Sequence, residues 1–174
     1  GSELLIVDPD SFEPLPQGER GMILARGPSI FSGYLDPSKN PFRDVEGKKW
    51  YVTGDLGFLS PEGALTISGR LKRFVKIGGE MISLPAVEEA LVSKWPPGEE
   101  GPVVAVEANE AEEGGRPELW LFTSNDVSLD DANAELKAKG FANVYRLTQR
   151  KTLDAIPLLG SGKTNYRELK TLMK

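Results

Sequence analysis

The residues best suited to chemistry in this chain are a lysine and an aspartate, each set beside glycine. Gly160-Ser-Gly-Lys-Thr164 ends like a phosphate-binding P-loop, but that motif needs a glycine five residues before Gly162, where Pro157 stands. Pro157 also interrupts Leu153 to Leu159 as a buried strand, which argues against a P-loop NTPase. What is left is Lys163 on a Gly-Ser-Gly tip, either a solvated loop lysine or a cation able to reach into another surface's cleft. Tyr51-Val-Thr-Gly-Asp-Leu56 sets Asp55 after a glycine at the end of a strand. A carboxylate there can accept both hydroxyls of a ribose diol through charge-assisted bonds. It can equally cap its own turn. The third stretch, Gly69-Arg-Leu-Lys-Arg-Phe-Val-Lys-Ile-Gly-Gly79, holds Arg70, Lys72, Arg73 and Lys76 between glycines. Glycine lowers the cost of unusual backbone dihedrals, so this reads as a swivel or as an ordinary basic loop feeding a hairpin.

Composition narrows the chemistry. The 174 residues suit one domain or two small ones, and 39% hydrophobic with 27% charged residues is globular. A net charge of −5 argues against general nucleic-acid binding. With no cysteine and no histidine there is neither a thiolate nucleophile nor the commonest general base and metal ligand. Chemistry must run on Lys, Arg, Asp, Glu, backbone groups or a partner's atoms, and no metal site is expected. No apolar run approaches the roughly 20 residues that span a bilayer, and no signal peptide is visible. Gly1-Ser2 reads as the remnant of a cleaved tag, so the chain reads as a soluble piece of a longer protein.

The elements that must position these residues fall in two groups. Strands are predicted at Leu4 to Val7, Met22 to Arg26 and Trp50 to Thr53, with residues 28 to 49 as loop and short turns. Phe58-Leu59 and Ala64 to Ser68 form a hairpin around a type I turn at Ser60-Pro-Glu-Gly63. Beyond the glycines, Phe74 to Ile77 pairs with Glu80 to Ile82, and Ser83 caps a helix reaching about Lys94. Val103 to Val106 and Leu119 to Thr123 are strands joined by an acidic loop, Glu110 to Gly115, read as a solvated face. Ser128 and Asp131 open a second helix that Gly140 ends, Val144 to Lys151 is a strand, and Tyr166 to Met173 a last helix. The fold class is α+β: a small β-rich subdomain, 1–70, then a compact unit, 71–174, with helices packed on a sheet of three or more strands.

Taken in order, Tyr51-Val-Thr-Gly-Asp-Leu56, Gly69-Arg-Leu-Lys-x-x-x-Lys-x-x-Gly79 and Pro157-x-x-x-Ser-Gly-Lys163 resemble the last three core motifs of the adenylate-forming superfamily. That superfamily comprises acyl-CoA synthetases, peptide-synthetase adenylation domains and luciferases. Gly18-Glu-Arg-Gly21, followed by a strand and Arg26-Gly-Pro28, looks like the motif upstream. The resemblance implies that residues 1–70 end a large N-terminal domain and that 71–174 are a mobile lid hinged near Lys72. It implies that Asp55, Arg70 and Tyr51 bind the nucleotide, and that Lys163 catalyses adenylation. Lys76, Gly78 and Gly79 would serve the thioester step beside a pantetheine arm. ATP and Mg2+ would act in the full-length enzyme, with no tight nucleotide binding by these residues, because nothing here matches the family's phosphate loop or acyl pocket.

Lys76-Ile-Gly-Gly-Glu-Met-Ile-Ser83 is similar to bifunctional acyl–acyl carrier protein synthetase/2-acylglycerophosphoethanolamine acyltransferases. Many relatives carry arginine where Met81 stands. This likeness implies acyl carrier protein, or coenzyme A, as thiol acceptor. It also implies fatty acid and lysophospholipid handled by other regions, and a full-length protein at the cytoplasmic face of the bacterial membrane. Basic side chains at Arg73, Lys76, Arg146, Arg150, Lys151 and Arg167 suit an acidic carrier or are ordinary surface charge. A coenzyme A or peptide-synthetase ligase piece, or a non-catalytic carrier-binding module, are the alternatives.

Overall fold

The computed structural model describes residues 1–109 and 115–173; residues 110–114 of the acidic loop lie outside the described residues. The chain divides into two compact units, Gly1–Lys72 and Arg73–Lys174. The class is α+β.

In the first unit β1 (Glu3–Val7), β2 (Gly21–Arg26), β3 (Phe42–Val45), β4 (Lys48–Leu59) and β5 (Leu65–Arg70) make an antiparallel sheet. β4 is its spine, with β2 along one edge and β3 then β5 along the other. Ile6, Val7, Met22, Leu24, Trp50 and Leu56 are buried and supply the apolar contact that holds the sheet together. The turn at Ser60–Gly63 is closed by the Gly63 amide on the Ser60 carbonyl at 2.9 Å, as the proline and glycine positions predict.

Two strand expectations in this unit need correction. Residues 42–45, read as loop, are strand β3. Its link to β4 is Glu46-Gly47, with both φ values positive (51° and 72°), the geometry of a type I′ hairpin turn. The interval read as a gap between Trp50–Thr53 and Phe58–Leu59 belongs to one 12-residue strand. β2 pairs with β4 on both sides of Gly54, β5 joins from Asp55 onward, and bulges absorb the irregularity.

In the second unit β6 (Phe74–Ile77) and β7 (Glu80–Ser83) form a hairpin leading into α1 (Leu84–Val92). β8 (Val104–Ala108), β9 (Leu119–Thr123) and β10 (Leu147–Thr152) form a sheet in the order β10-β9-β8, antiparallel between β8 and β9 and parallel between β9 and β10. α2 (Leu129–Ala138) and α1 cover one face, burying Val87, Leu91 and Leu136 against Val104, Val106, Leu121 and Leu147. α3 (Tyr166–Thr171) covers the other, with Leu169 and Ile156 against Ala105 and Phe122.

The helix ends follow their side chains. Ser83 and Ser128 accept the Ala86 and Asp131 amides, at 3.2 and 3.0 Å. At the end of α2 the Phe141 amide reaches the Leu136 carbonyl and Gly140 reaches Lys137, both at 3.0 Å, a Schellman ending around Gly140. The strand expected from Val144 starts at Leu147 instead, after a 3-10 turn at Asn143–Tyr145. There the Asn133 side chain satisfies both the amide and the carbonyl of Leu147 at 2.9 Å, standing in for a strand partner.

Candidate functional site

In the first unit the register of β4 on β5 sets Asp55 directly opposite Arg70. Gly54, at φ 75°, lets the chain step outward before Asp55, a conformation costly for any residue with a Cβ. Thr53 Oγ1 donates to the Ile23 carbonyl at 2.7 Å and accepts the Asp55 amide at 3.0 Å, fixing the step. Arg70 Nη1 donates to the Thr53 carbonyl at 2.9 Å while its Nε lies 3.1 Å from Asp55 Oδ1. The result is a half-buried carboxylate held against a guanidinium that is itself largely exposed.

Tyr51 stands in the same neighbourhood. Burial raises its phenol pKa first, then Tyr34; Arg70 lowers it and Asp55 adds to the rise. The structure thus gathers Tyr51, Asp55 and Arg70. It adds residues not singled out from sequence: Phe31, Phe42 and Tyr51 stack edge-on or tilted with centroids 5.5 to 6.0 Å apart, and Tyr34 lies 5.0 Å from Phe31. The signal available was the aromatic content of residues 31–51, obscured by the prolines and glycines between.

In the second unit Gly78 and Gly79 turn the β6–β7 hairpin with φ 59° and 88°, and a Cβ at either would meet open space. Lys76 is exposed and sits across from Met81. A surface cleft of about 530 Å3 opens beside Ile77, with Asn143, Val144, Arg146 and Thr148 among its walls.

Lys163 sits on a tight tip. The Leu159 amide donates to the Lys163 carbonyl at 2.7 Å, Gly162 to Leu159 at 2.8 Å, and Asn165 to Pro157 at 2.8 Å. The backbone is therefore pinned while the lysine side chain is exposed. None of these bonds cradles an anion in the manner of a P-loop.

Arg73 is not part of a basic surface. Only 12% of its side chain is exposed, and Nη1 donates to the Val106 carbonyl at 2.8 Å and to Glu107 at 3.3 Å. Nη2 donates to Glu88 at 3.2 Å, and the guanidinium lies 3.5 Å from the centre of the Tyr166 ring. Tyr166 donates its hydroxyl to Glu88. Arg150 and Lys151 are likewise engaged within the unit, with Asp126 and the Leu172 carbonyl. Of the six cations read as a candidate carrier surface, Lys76, Arg146, Arg150 and Arg167 are exposed, and Arg73 and Lys151 are partly buried.

Burial pushes the Glu107 carboxyl up, against the Ala108 amide, Arg73 and Lys170. Burial and then the Glu88 charge push the Tyr166 phenol from 10.0 up to about 12. The folded state holds that proton more tightly, so the stability it adds is complete below pH 10.0 and is lost as pH climbs through about 12. Tyr166→Phe should remove a tyrosinate absorbance transition near pH 12 and flatten the alkaline loss of stability. An unchanged titration would contradict this.

The chain is 31% identical over 170 residues to 4-coumarate–CoA ligase 2 of Nicotiana tabacum, covering 97% of this chain and 31% of that protein. It is 31% identical over 172 residues to 4-coumarate–CoA ligase 1 of Glycine max, covering 97% and 57%. Among solved structures it superposes on ATP-bound MatB from Rhodopseudomonas palustris with a TM-score of 0.78 at 24% identity, covering 99% of this chain and 34% of that one. It matches the AMP complex of O-succinylbenzoate coenzyme A synthetase from Bacillus subtilis with a TM-score of 0.73 at 27% identity, covering 97% and 33%. No family model matches the chain. Together these likenesses place the chain in the adenylate-forming superfamily, in its C-terminal part. It spans about a third of the tobacco relative's length (31%) and just over half of the soybean one (57%).

Proposed function

We propose that this chain is the C-terminal part of an ATP-dependent ligase that activates a carboxylate as its adenylate and passes the acyl group to a thiol. The observation that carries the reading is Lys163, exposed on a tip whose backbone is held by three hydrogen bonds. In the first half-reaction the substrate carboxylate attacks the α-phosphate of ATP and pyrophosphate leaves. Negative charge gathers on the attacking oxygen and the phosphate, where the Lys163 ammonium stabilises it. Asp55 accepts the ribose hydroxyls, Arg70 holds Asp55 in place and supplies positive charge beside it, and Tyr51 lines the nucleotide's seat. Magnesium arrives with the nucleotide; among the described residues no cluster of three acidic side chains is placed to hold it.

In the second half-reaction the unit from residue 73 turns about Leu71 and Lys72. The hairpin with Lys76, Gly78 and Gly79 then lies beside the adenylate. Glycine at its tip lets backbone approach a pantetheine arm closely, and a cleft of about 530 Å3 lies beside Ile77. Both coenzyme A and acyl carrier protein present such an arm. The stretch Lys76 to Ser83 favours a carrier protein and a bifunctional membrane acyltransferase, whereas the relatives named as coenzyme A ligases favour coenzyme A. The internal use of Arg73 and Lys151 leaves less basic surface for an acidic carrier. No helix among the described residues is long and apolar enough to cross a membrane.

The test is made on the full-length protein: carboxylate-dependent ATP–pyrophosphate exchange, then thioester yield with coenzyme A or carrier protein as acceptor. Exchange with thioester on either acceptor supports the reading; absence of exchange with any carboxylate overturns it. Asp55→Asn should raise the KM for ATP about tenfold or more, because a hydrogen bond to a charged group is worth about 1.5–3 kcal/mol. An unchanged KM would remove Asp55 from the nucleotide seat.

A further inference from the structure

Two arginines three residues apart are fastened to different units. Arg70 is tied to Thr53 and Asp55 in the first, and Arg73 to Val106, Glu107, Glu88 and Tyr166 in the second. The second set is a closed network. Glu88 Oε2 also accepts the Val106 amide at 2.8 Å while Oε1 takes the Tyr166 hydroxyl. Glu107 accepts the Ala108 amide at 3.0 Å and lies 4.0 Å from the Lys170 ammonium. One guanidinium therefore joins α1, β8 and α3 to the first residue of the unit.

Stability alone does not explain it. Taking several charges out of water is costly, and apolar packing of similar volume often does as well or better. A rigid fork with fixed donor directions provides orientation instead. We infer that Arg73 is a positioning residue: its buried network clamps the start of the second unit, so that backbone turning is confined to Leu71 and Lys72. This rests on the reading of Lys72 as the swivel. Without the clamp, residues 73 and 74 join the flexible segment and the set point of the turn is lost.

The test is a double-mutant cycle in the full-length protein, read on each half-reaction. With Arg73 intact, Lys72→Pro should slow thioester formation about 100-fold, the scale of a small misplacement of reacting groups. In an Arg73→Leu/Glu88→Gln/Glu107→Gln background, which leaves no lone buried carboxylate, the same proline should cost less than about tenfold, because the turn now has other residues to use. Arg73→Lys, which keeps the charge but loses the fork, should move the same way. An undiminished proline penalty in both backgrounds overturns the clamp, and a fall in melting temperature alone does not rescue it. Should Lys72→Pro spare the second step with Arg73 intact, the swivel reading fails. Hydrogen exchange on the 174-residue chain then decides the clamp by itself. Protection at 74–77 that falls on loss of the network supports it, and unchanged protection ends it.

Discussion

Lys163→Ala in the full-length protein should slow ATP–pyrophosphate exchange by about 100- to 1,000-fold, or about 2.7–4 kcal/mol in the transition state. The size follows from what is removed: one preorganised cation facing charge that develops only as the α-phosphate is attacked. The fold should not suffer. The side chain is exposed, and the bonds shaping the tip run through backbone atoms of Leu159, Gly162, Lys163 and Asn165, which alanine retains. The loss should therefore sit in kcat more than in the KM for ATP. Thioester formation from a supplied acyl-adenylate, which bypasses the step, should stay within a few-fold of wild type. Equal loss of both half-reactions would mean that the lysine is structural.

Lys72→Pro should give the opposite pattern, with thioester formation reduced about 100-fold and exchange largely retained. Lys72 lies in a 3-10 turn, Leu71–Arg73, and 3-10 backbones in general run near the φ of about −65° that proline imposes. The ring therefore fixes φ at this position and removes an amide donor. A turn that must visit two settings loses one of them. Because the residue is exposed, little packing is lost and the melting temperature should barely move. Normal thioester output would show that the chain turns elsewhere.

Local chemistry was the legible part of this sequence. Ser83, Ser128, Gly140 and the Ser60–Gly63 turn act within a few residues of themselves, so their structural roles follow from neighbours in the chain. The α+β class followed from the change of period after Gly79. β3 was hidden because Pro37 and Pro41 read as loop and Glu46-Gly47 is an unusual filling for a type I′ turn. β4 was split on paper because Gly54 reads as a break, whereas pairing on both sides carries the strand through it. Arg73 looked like surface charge for a different reason. Its partners Glu88 and Glu107 are 15 and 34 residues away, and no local pattern reports such pairs. A lone glutamate inside the apolar run Val103 to Ala108 was the one clue. The facing of Asp55 and Arg70 was equally out of reach, since it depends on the bulge at Leu56/Gly57.

The central claim is that two segments of the second unit each serve one half-reaction. Single-turnover measurement of both half-reactions on Lys163→Ala and Gly79→Val tests it most directly. Gly79 has φ 88°, so a β-branched side chain strains the hairpin tip without entering occupied space. The account predicts a crossed result: Lys163→Ala loses adenylation and keeps thioester transfer, and Gly79→Val keeps adenylation and loses transfer. Both variants losing the same half-reaction, or both halves together, would contradict it.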